Sequence, residues 1–233
     1  RGTTHAAAID FTDADKIWNN VNANKDQYAT DAHLATEKTY DYYYSTYGRN
    51  SINNAGFKLL SYIHYSTNYV NAYWDGSRMT YGDGNATYTP LTSLDIGGHE
   101  ITHGLTSFTA NLNYSYESGA LNESFSDCFG TAVEWYADPA HADWLIGEDI
   151  GAAFRSHSNP NSYGQPDTYL GTNWTTGAGD NGGVHTNSGV QNYWFYLLSN
   201  GGSGSNDIGN AFSVTGIGIS KAAAIAFRTL TVY

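Results

Sequence analysis

Cysteine, proline, methionine and positive charge are all scarce in this 233-residue chain, which has one Cys, four Pro, one Met and ten Lys plus Arg. A single Cys128 cannot close an internal disulfide, so cysteine usage says nothing of redox compartment. Four prolines exclude a collagen-like chain. Against the ten cations stand 22 Asp plus Glu, for a net charge of −12, which argues against a nucleic-acid partner or an anionic membrane surface. No apolar run approaches the roughly 18 residues of a membrane helix, so no membrane partner is expected. The first residues hold no basic stretch followed by an apolar one, so any secretory signal is expected to be already removed or never present. Charged residues make up only 14% and hydrophobic ones 40%, too apolar a balance for disorder. The length allows one or two domains with a substantial core. What is abundant is Tyr (20) and Gly (26), with many Asn: a polar but uncharged surface. That style suits a secreted protein, and fits a soluble domain with aromatic-rich loops equally well.

The chain shows no repeat and no heptads. Apolar and aromatic positions recur at three and four from Ala29 to Tyr47, which predicts a helix stopped by Gly48. Residues 57–66 and 70–76 read as short strands rich in aromatic and β-branched residues, whereas residues 79–90 read as turns. Helices are predicted over Leu94–Phe108 and Ala120–Tyr136, the second ended by Asp138-Pro139. Residues 155–183 are rich in Gly, Asn, Ser and Pro and read as irregular loop; helices follow over Gly189–Ser199 and Ile219–Thr231. Strands early and helices late predict an α+β fold with segregated elements.

The most informative run is His99-Glu100-Ile101-Thr102-His103. On a helix, residues four apart lie about 40° off alignment, so both imidazoles can meet one metal ion. Glu100 projects beside them, able to take a proton from water on that ion. Glu123 follows twenty residues after His103, with Asp127 one turn beyond on the same face of the next helix. Two His and one carboxylate leave a tetrahedral zinc one open position, the catalytic rather than the structural pattern. Asp127 and Asn122 are natural acceptors for the remaining imidazole N–H groups. Taken singly, Glu123 and Asp127 read equally as solvated helix carboxylates, but their stretch is otherwise apolar, and a buried carboxylate needs a partner.

His99–His103 followed by Glu117-Ser-Gly-Ala-Leu-Asn-Glu123-Ser-Phe-Ser-Asp127 resembles the thermolysin-like neutral zinc metallopeptidases, the gluzincins. Asp31-Ala-His33, Tyr40-Asp-Tyr-Tyr43, Asn71-Ala72-Tyr-Trp74, Tyr81-Gly-Asp-Gly84 and Asp180-Asn-Gly-Gly-Val-His185-Thr-Asn-Ser-Gly189 extend the likeness from about Asp13 to Tyr233. The resemblance implies a two-lobed core: residues 1–107 as an α/β lobe carrying the His-Glu-x-x-His helix, 108–233 as a mainly helical lobe, zinc in the cleft between. It implies a secreted, monomeric endopeptidase that cuts proteins and peptides, matured by loss of a propeptide. One catalytic zinc would be held by His99, His103 and Glu123, with Glu100 activating the zinc-bound water as general base. Tyr114 and His185 would hydrogen-bond the oxyanion, Asp180 would orient His185, Asn71 and the Ala72 backbone would grip extended substrate, and Arg155 a substrate carbonyl. A bulky apolar residue after the scissile bond would sit among Tyr88, Leu91, Ile96, Ile146 and Phe154. The alternative is a silent zinc- or calcium-binding module that recognises peptide or polysaccharide.

Asp95, Glu134, Asp143 and Glu148 are oxygen donors of the kind that suits calcium, and the family places calcium there; without the likeness they read as scattered surface acids. The chain departs from the family where Leu145 replaces an acid, and where an extra residue lies between Glu134 and Trp144, so one calcium is expected rather than two. A calcium loop between Ile150 and Phe154 is shortened, and Asp13 and Asp15 make a weak case for another. Both ends fall several tens of residues short of the family's catalytic chains.

Overall fold

A computed structural model describes residues 2–12, 21 and 25–232 of the chain; Asp13 and Asp15 lie outside them. The first long element, α1 (Gln27–Tyr47), buries Ala32, Ala35, Thr39, Tyr42 and Tyr43, the three-and-four spacing that the sequence predicts. It ends where Gly48 adopts φ 67° and its N–H bonds the Tyr44 carbonyl at 2.9 Å, a left-handed cap.

Strands β1 (Ser61–Tyr65), β2 (Ala72–Trp74) and β3 (Met79–Gly82) form a sheet in the order β1-β3-β2, with β1 parallel and β2 antiparallel to β3. The central strand β3 falls in the stretch read from sequence as turns. Its four residues are all buried, so the alternation that marks a half-exposed strand is missing. β2 is left as an edge strand.

Helices α2 (Leu94–Ser107) and α3 (Tyr116–Ala137) form the centre of the molecule. They approach closely because their crossing point lacks side chains. A Cβ on Gly98 would lie 3.0 Å from the Gly130 Cα, and one on Gly130 only 2.4 Å from the Asp95 carbonyl oxygen. Around this crossing Phe125, Cys128, Phe129 and Val133 of α3 meet Ile101 and Leu105 of α2 and Tyr42 and Tyr43 of α1 in one apolar cluster. Such residues are each worth about 1.5–3 kcal/mol when fully buried.

Beyond α3, β4 (Leu145–Ile146) pairs antiparallel with β5 (Arg155–Ser156), Ile146 opposite Arg155. The loop predicted over 155–183 is therefore ordered at both ends: it opens with β5 and closes into α4 (Asp180–Asn187). Then come α5 (Gly189–Asn200), a hairpin of β6 (Gly202–Ser205) and β7 (Ala211–Val214), and α6 (Ile219–Val232), which buries Ala222, Ala223, Ala226 and Leu230. The fold is α+β, a small β part beside a mostly helical one. Among the described residues no helix is long and apolar enough to cross a membrane.

Candidate active site

His99 and His103 leave α2 one turn apart, with ring centroids 4.7 Å apart and nearly perpendicular. Their Nε2 atoms lie 3.0 Å from each other. Glu123, on the facing side of α3, completes the group: Oε2 is 3.4 Å from His99 Nε2 and Oε1 is 3.3 Å from His103 Nε2. Ligands held tetrahedrally at about 2.0–2.1 Å from an ion lie about 3.3 Å from one another, so the two Nε2 atoms and the Glu123 carboxylate have zinc-sized spacing. Glu123 Oε2 and Glu100 Oε2 are both buried without a hydrogen-bond partner, a state that costs free energy unless something else satisfies them.

The far sides of both imidazoles are fixed. His99 Nδ1 is 2.8 Å from Asp127 Oδ1, and His103 Nδ1 is 2.7 Å from Asn122 Oδ1. Each Nδ1 therefore donates away from the cleft, leaving each Nε2 to face Glu123. Electrostatics favour a cation at this point. Burial opposes charge on His99, but its hydrogen bond to Asp127 and the nearby carboxylates of Glu123 and Asp127 outweigh it and push its pKa up to about 10. Burial likewise pushes Glu123 up, yet His103 and His99 hold it well below the usual carboxylate range.

Asp127 is the hub behind the site. It is fully buried, and burial raises its pKa, but Arg155 first and His99 second hold it well below the usual range. Arg155 donates to it twice, Nε to Oδ2 at 2.8 Å and Nη2 to Oδ1 at 2.6 Å, from a side chain only 13% exposed. A further donor, Asn192 Nδ2 of α5, lies 2.8 Å from Asp127 Oδ2, and Ser124 Oγ donates to Asn192 Oδ1 at 2.7 Å. Sequence reasoning had no signal for Asn192, which looks like any polar residue of an amphipathic helix.

Tyr114 and His185 stand across the cleft mouth. The Tyr114 hydroxyl donates to Glu123 Oε1 and lies 3.2 Å from His185 Nε2. Burial, then the Glu123 carboxylate, push this phenol well above its usual pKa, so it stays a donor. Asp180 takes both the His185 backbone N–H (2.8 Å, Oδ2) and ring Nδ1 (2.6 Å, Oδ1). The cleft has a volume near 470 Å³ and runs from Asn71 and from Ala72, the first residue of β2, past the two His, to an apolar end at Leu91, Ile96, Ile146 and Phe154. Tyr88, expected in that apolar end, is not among the residues that line the cleft.

A second acidic group gathers behind α2 and α3. Carboxylate oxygens of Glu134, Glu148 and Asp149 lie within 4.8 Å of one another. Asp149 is absent from the sequence expectation, although it adjoins Glu148. Asp95 and Asp143, which were expected to converge with Glu134 and Glu148, are not part of that trio. Asp95 accepts from the N–H groups of Ile96 and Gly147, each at 2.7 Å, and Asp143 Oδ1 from that of Leu145 at 2.6 Å. Both still act on the cluster through their charge. Burial, then Asp95, Glu148, Asp143 and Asp149, push Glu134 up to about 9; burial and Asp95 push Glu148 to about 7.

Comparison with known proteins gives a consistent picture. A family profile described as "Thermolysin metallopeptidase, catalytic domain" matches residues 1–107, and one described as "Thermolysin metallopeptidase, alpha-helical domain" matches residues 110–233. The chain is 51% identical over 231 residues to bacillolysin of Bacillus cereus, covering 96% of this chain and 39% of that protein. It is 46% identical over 229 residues to thermolysin of Bacillus sp. (strain EA1), covering 93% and 40%. Among solved structures it is similar to the precursor of protealysin, a metalloproteinase from Serratia proteamaculans. That match has a TM-score of 0.68 and 36% identity, covering 77% of this chain and 62% of that one. The chain spans about two fifths of the length of the curated relatives it matches.

Proposed function

We propose that this chain, which belongs to the thermolysin metallopeptidase family, is a zinc-dependent endopeptidase that cuts before a bulky apolar residue. The observation that carries the reading is the convergence of His99, His103 and Glu123 at 3.0–3.4 Å, with the buried, unpartnered Oε2 of Glu100 lining the same cleft. Zinc held by those three residues supplies Lewis acidity: it lowers the pKa of a water toward about 7 and polarises a carbonyl. Glu100 takes the proton of the attacking water and later delivers it to the leaving amine. The Tyr114 hydroxyl and His185 Nε2 donate to the carbonyl oxygen as it becomes anionic, the class of interaction worth most in acyl transfer. Asp180, bonded to both the ring and the backbone of His185, keeps that ring aimed.

Substrate binding follows from the sheet. β2 is an edge strand, so its outer backbone groups can pair with an extended peptide, with Asn71 and the Ala72 backbone as the first contacts. The apolar end at Leu91, Ile96, Ile146 and Phe154 receives the side chain after the cut. Arg155 reaches the cleft wall and touches a substrate carbonyl only with guanidinium edges not spent on Asp127.

The same reading divides the chain into lobes at 1–107 and 108–233 and assigns one calcium ion to the acidic group. It puts the protein outside the cell as a monomer acting on proteins and peptides, released from a propeptide; the likeness to a precursor of protealysin supports that last point. A silent binding module would have no use for Glu100, Tyr114 and His185 together around the metal ligands. The test is zinc content measured alongside casein cleavage, with and without a zinc chelator. One zinc per chain and chelator-sensitive cleavage are expected; cleavage that survives zinc removal would refute the assignment.

A further inference from the structure

His185 sits at the end of an unusual backbone. Asp180, Asn181, Gly182 and Gly183 take φ of 52°, 51°, 93° and 78°, four successive left-handed residues. Asp and Asn visit that region occasionally and glycine freely, but a run of four is held only by its surroundings. Beside its own hydrogen bonds, from the Gly182 and Gly183 N–H groups to the Gly179 carbonyl at 3.0 and 2.9 Å and between Asp180 and His185, three side-chain contacts pack against it. A Cβ on Gly183 would lie 2.1 Å from Thr175 Cγ2, so that methyl fills one side. Val184, fully buried, fits where a Cβ on Gly119 would be, 2.4 Å from Val184 Cγ1. On the remaining side, a Cβ on Gly182 would lie 2.4 Å from Cδ1 of the Tyr116 ring.

Tyr116 is itself strained. Its φ is 49°, an outlying value for a bulky aromatic residue, and its side chain is not buried for shelter, being 52% exposed. It lies two residues after Tyr114 and opens α3, which carries Glu123. One ring therefore ties the segment bearing Tyr114 to the turn bearing His185, whose hydroxyl and Nε2 are 3.2 Å apart.

We propose that Tyr116 is a positioning residue: its ring, presented by a left-handed backbone and laid on Gly182, locks the turn Asp180–Gly183 and so fixes Tyr114 and His185 relative to each other. This rests on the peptidase reading above, in which those two groups stabilise the developing oxyanion. The unfavourable backbone at residue 116 is the one that lays the ring on Gly182. The device should then show an opposition between stability and turnover that ordinary packing does not produce.

The test compares Tyr116→Asn, which suits a left-handed backbone but has no ring, with Tyr116→Phe, which keeps the ring. Losing one oxyanion donor costs about 10²–10³ in kcat, so misplacing the pair should cost at least about tenfold. For Tyr116→Asn we expect kcat to fall about tenfold or more, KM to stay within about twofold, and zinc content to be unchanged. Its melting temperature should hold or rise as the backbone strain is relieved. Its His185 ring ¹⁵N signals, assigned by their loss in His185→Asn, should broaden or split. Tyr116→Phe should match the wild type in every readout. A wild-type kcat and His185 spectrum in Tyr116→Asn would overturn the proposal, as would a loss of kcat that tracks a loss of zinc or of melting temperature. Absence of turnover in the wild type would refute the peptidase reading alone, and the imidazole spectra would still decide whether Tyr116 orders His185.

Discussion

Asn192→Ala removes a side chain that never touches the cleft yet holds the hub behind it. In the native structure its Nδ2 donates to the Asp127 carboxylate at 2.8 Å and its Oδ1 accepts from Ser124 Oγ at 2.7 Å, all three residues being fully buried. The bond to an ionised carboxylate is worth about 1.5–3 kcal/mol and the neutral one about 0.5–1.5. Asp127 itself is not orphaned, since Arg155 still donates to both its oxygens; Ser124 keeps only the weak Cys128 Sγ contact at 3.8 Å. The sum is a destabilisation of about 2–4 kcal/mol, which for a chain of this size lowers the melting temperature by about 5–15 °C. Direct partners of metal-binding imidazoles change metal affinity by about 10–100-fold. Asn192 acts one step further out, through Asp127 to His99, so the loss of zinc affinity should stay below about tenfold. Thermal melts at saturating zinc and competition with a chelator measure the two effects separately. Asn192→Asp should be worse on both counts, because it brings a second carboxylate to hydrogen-bond distance of Asp127 in a buried setting. A melting temperature for Asn192→Ala within about 3 °C of wild type would show that Asp127 does not need this donor and would refute the layered account.

Three other outcomes are expected. Glu100→Gln should keep zinc and the fold but lose activity by about 10²–10⁴-fold, since the ligands stay and the proton acceptor goes; retention of a tenth of the casein activity would remove Glu100 from the general-base role. Chelation of calcium at constant zinc should shorten the active lifetime and lower the melting temperature, by about 5–10 °C for a cation formerly at a hundredfold excess over Kd, while the initial rate hardly changes. Glu134→Gln should abolish that calcium-dependent gain, and an unaltered melting temperature on calcium removal would leave Glu134, Glu148 and Asp149 as acids that hold no stabilising cation. In a peptide library, Leu, Ile or Phe after the cut should outrank Asp or Gly, because the apolar end of the cleft gains about 1.5–3 kcal/mol from such a side chain; a profile dominated by charged residues there would rule out Leu91, Ile96, Ile146 and Phe154 as the pocket.

What could be read from the sequence is what local geometry dictates. His99 and His103 share a face because a helix turn is 3.6 residues, and Glu123 and Asp127 share one for the same reason; helix periodicity alone therefore announced each pair. Likewise α1 was legible from its buried stripe and its glycine stop. The chemistry of the residues suggested that the two pairs meet, but only the tertiary structure decided how they are brought together. Nothing in the spacing says that Gly98 and Gly130 let the two helices cross closely enough for Glu123 to meet both imidazoles. Strand β3 escaped because burial on both faces erases alternation, and the β6–β7 hairpin because its Gly-Ser strand has no apolar face to announce. Asn192, Asp149 and Tyr116 act across 65, 15 and 66 residues of chain, on Asp127, Glu134 and Gly182. A hydrogen bond, a shared charge or a ring contact between distant segments leaves no period in the sequence, because it depends on where the packed elements bring the residues rather than on how far apart they lie along the chain.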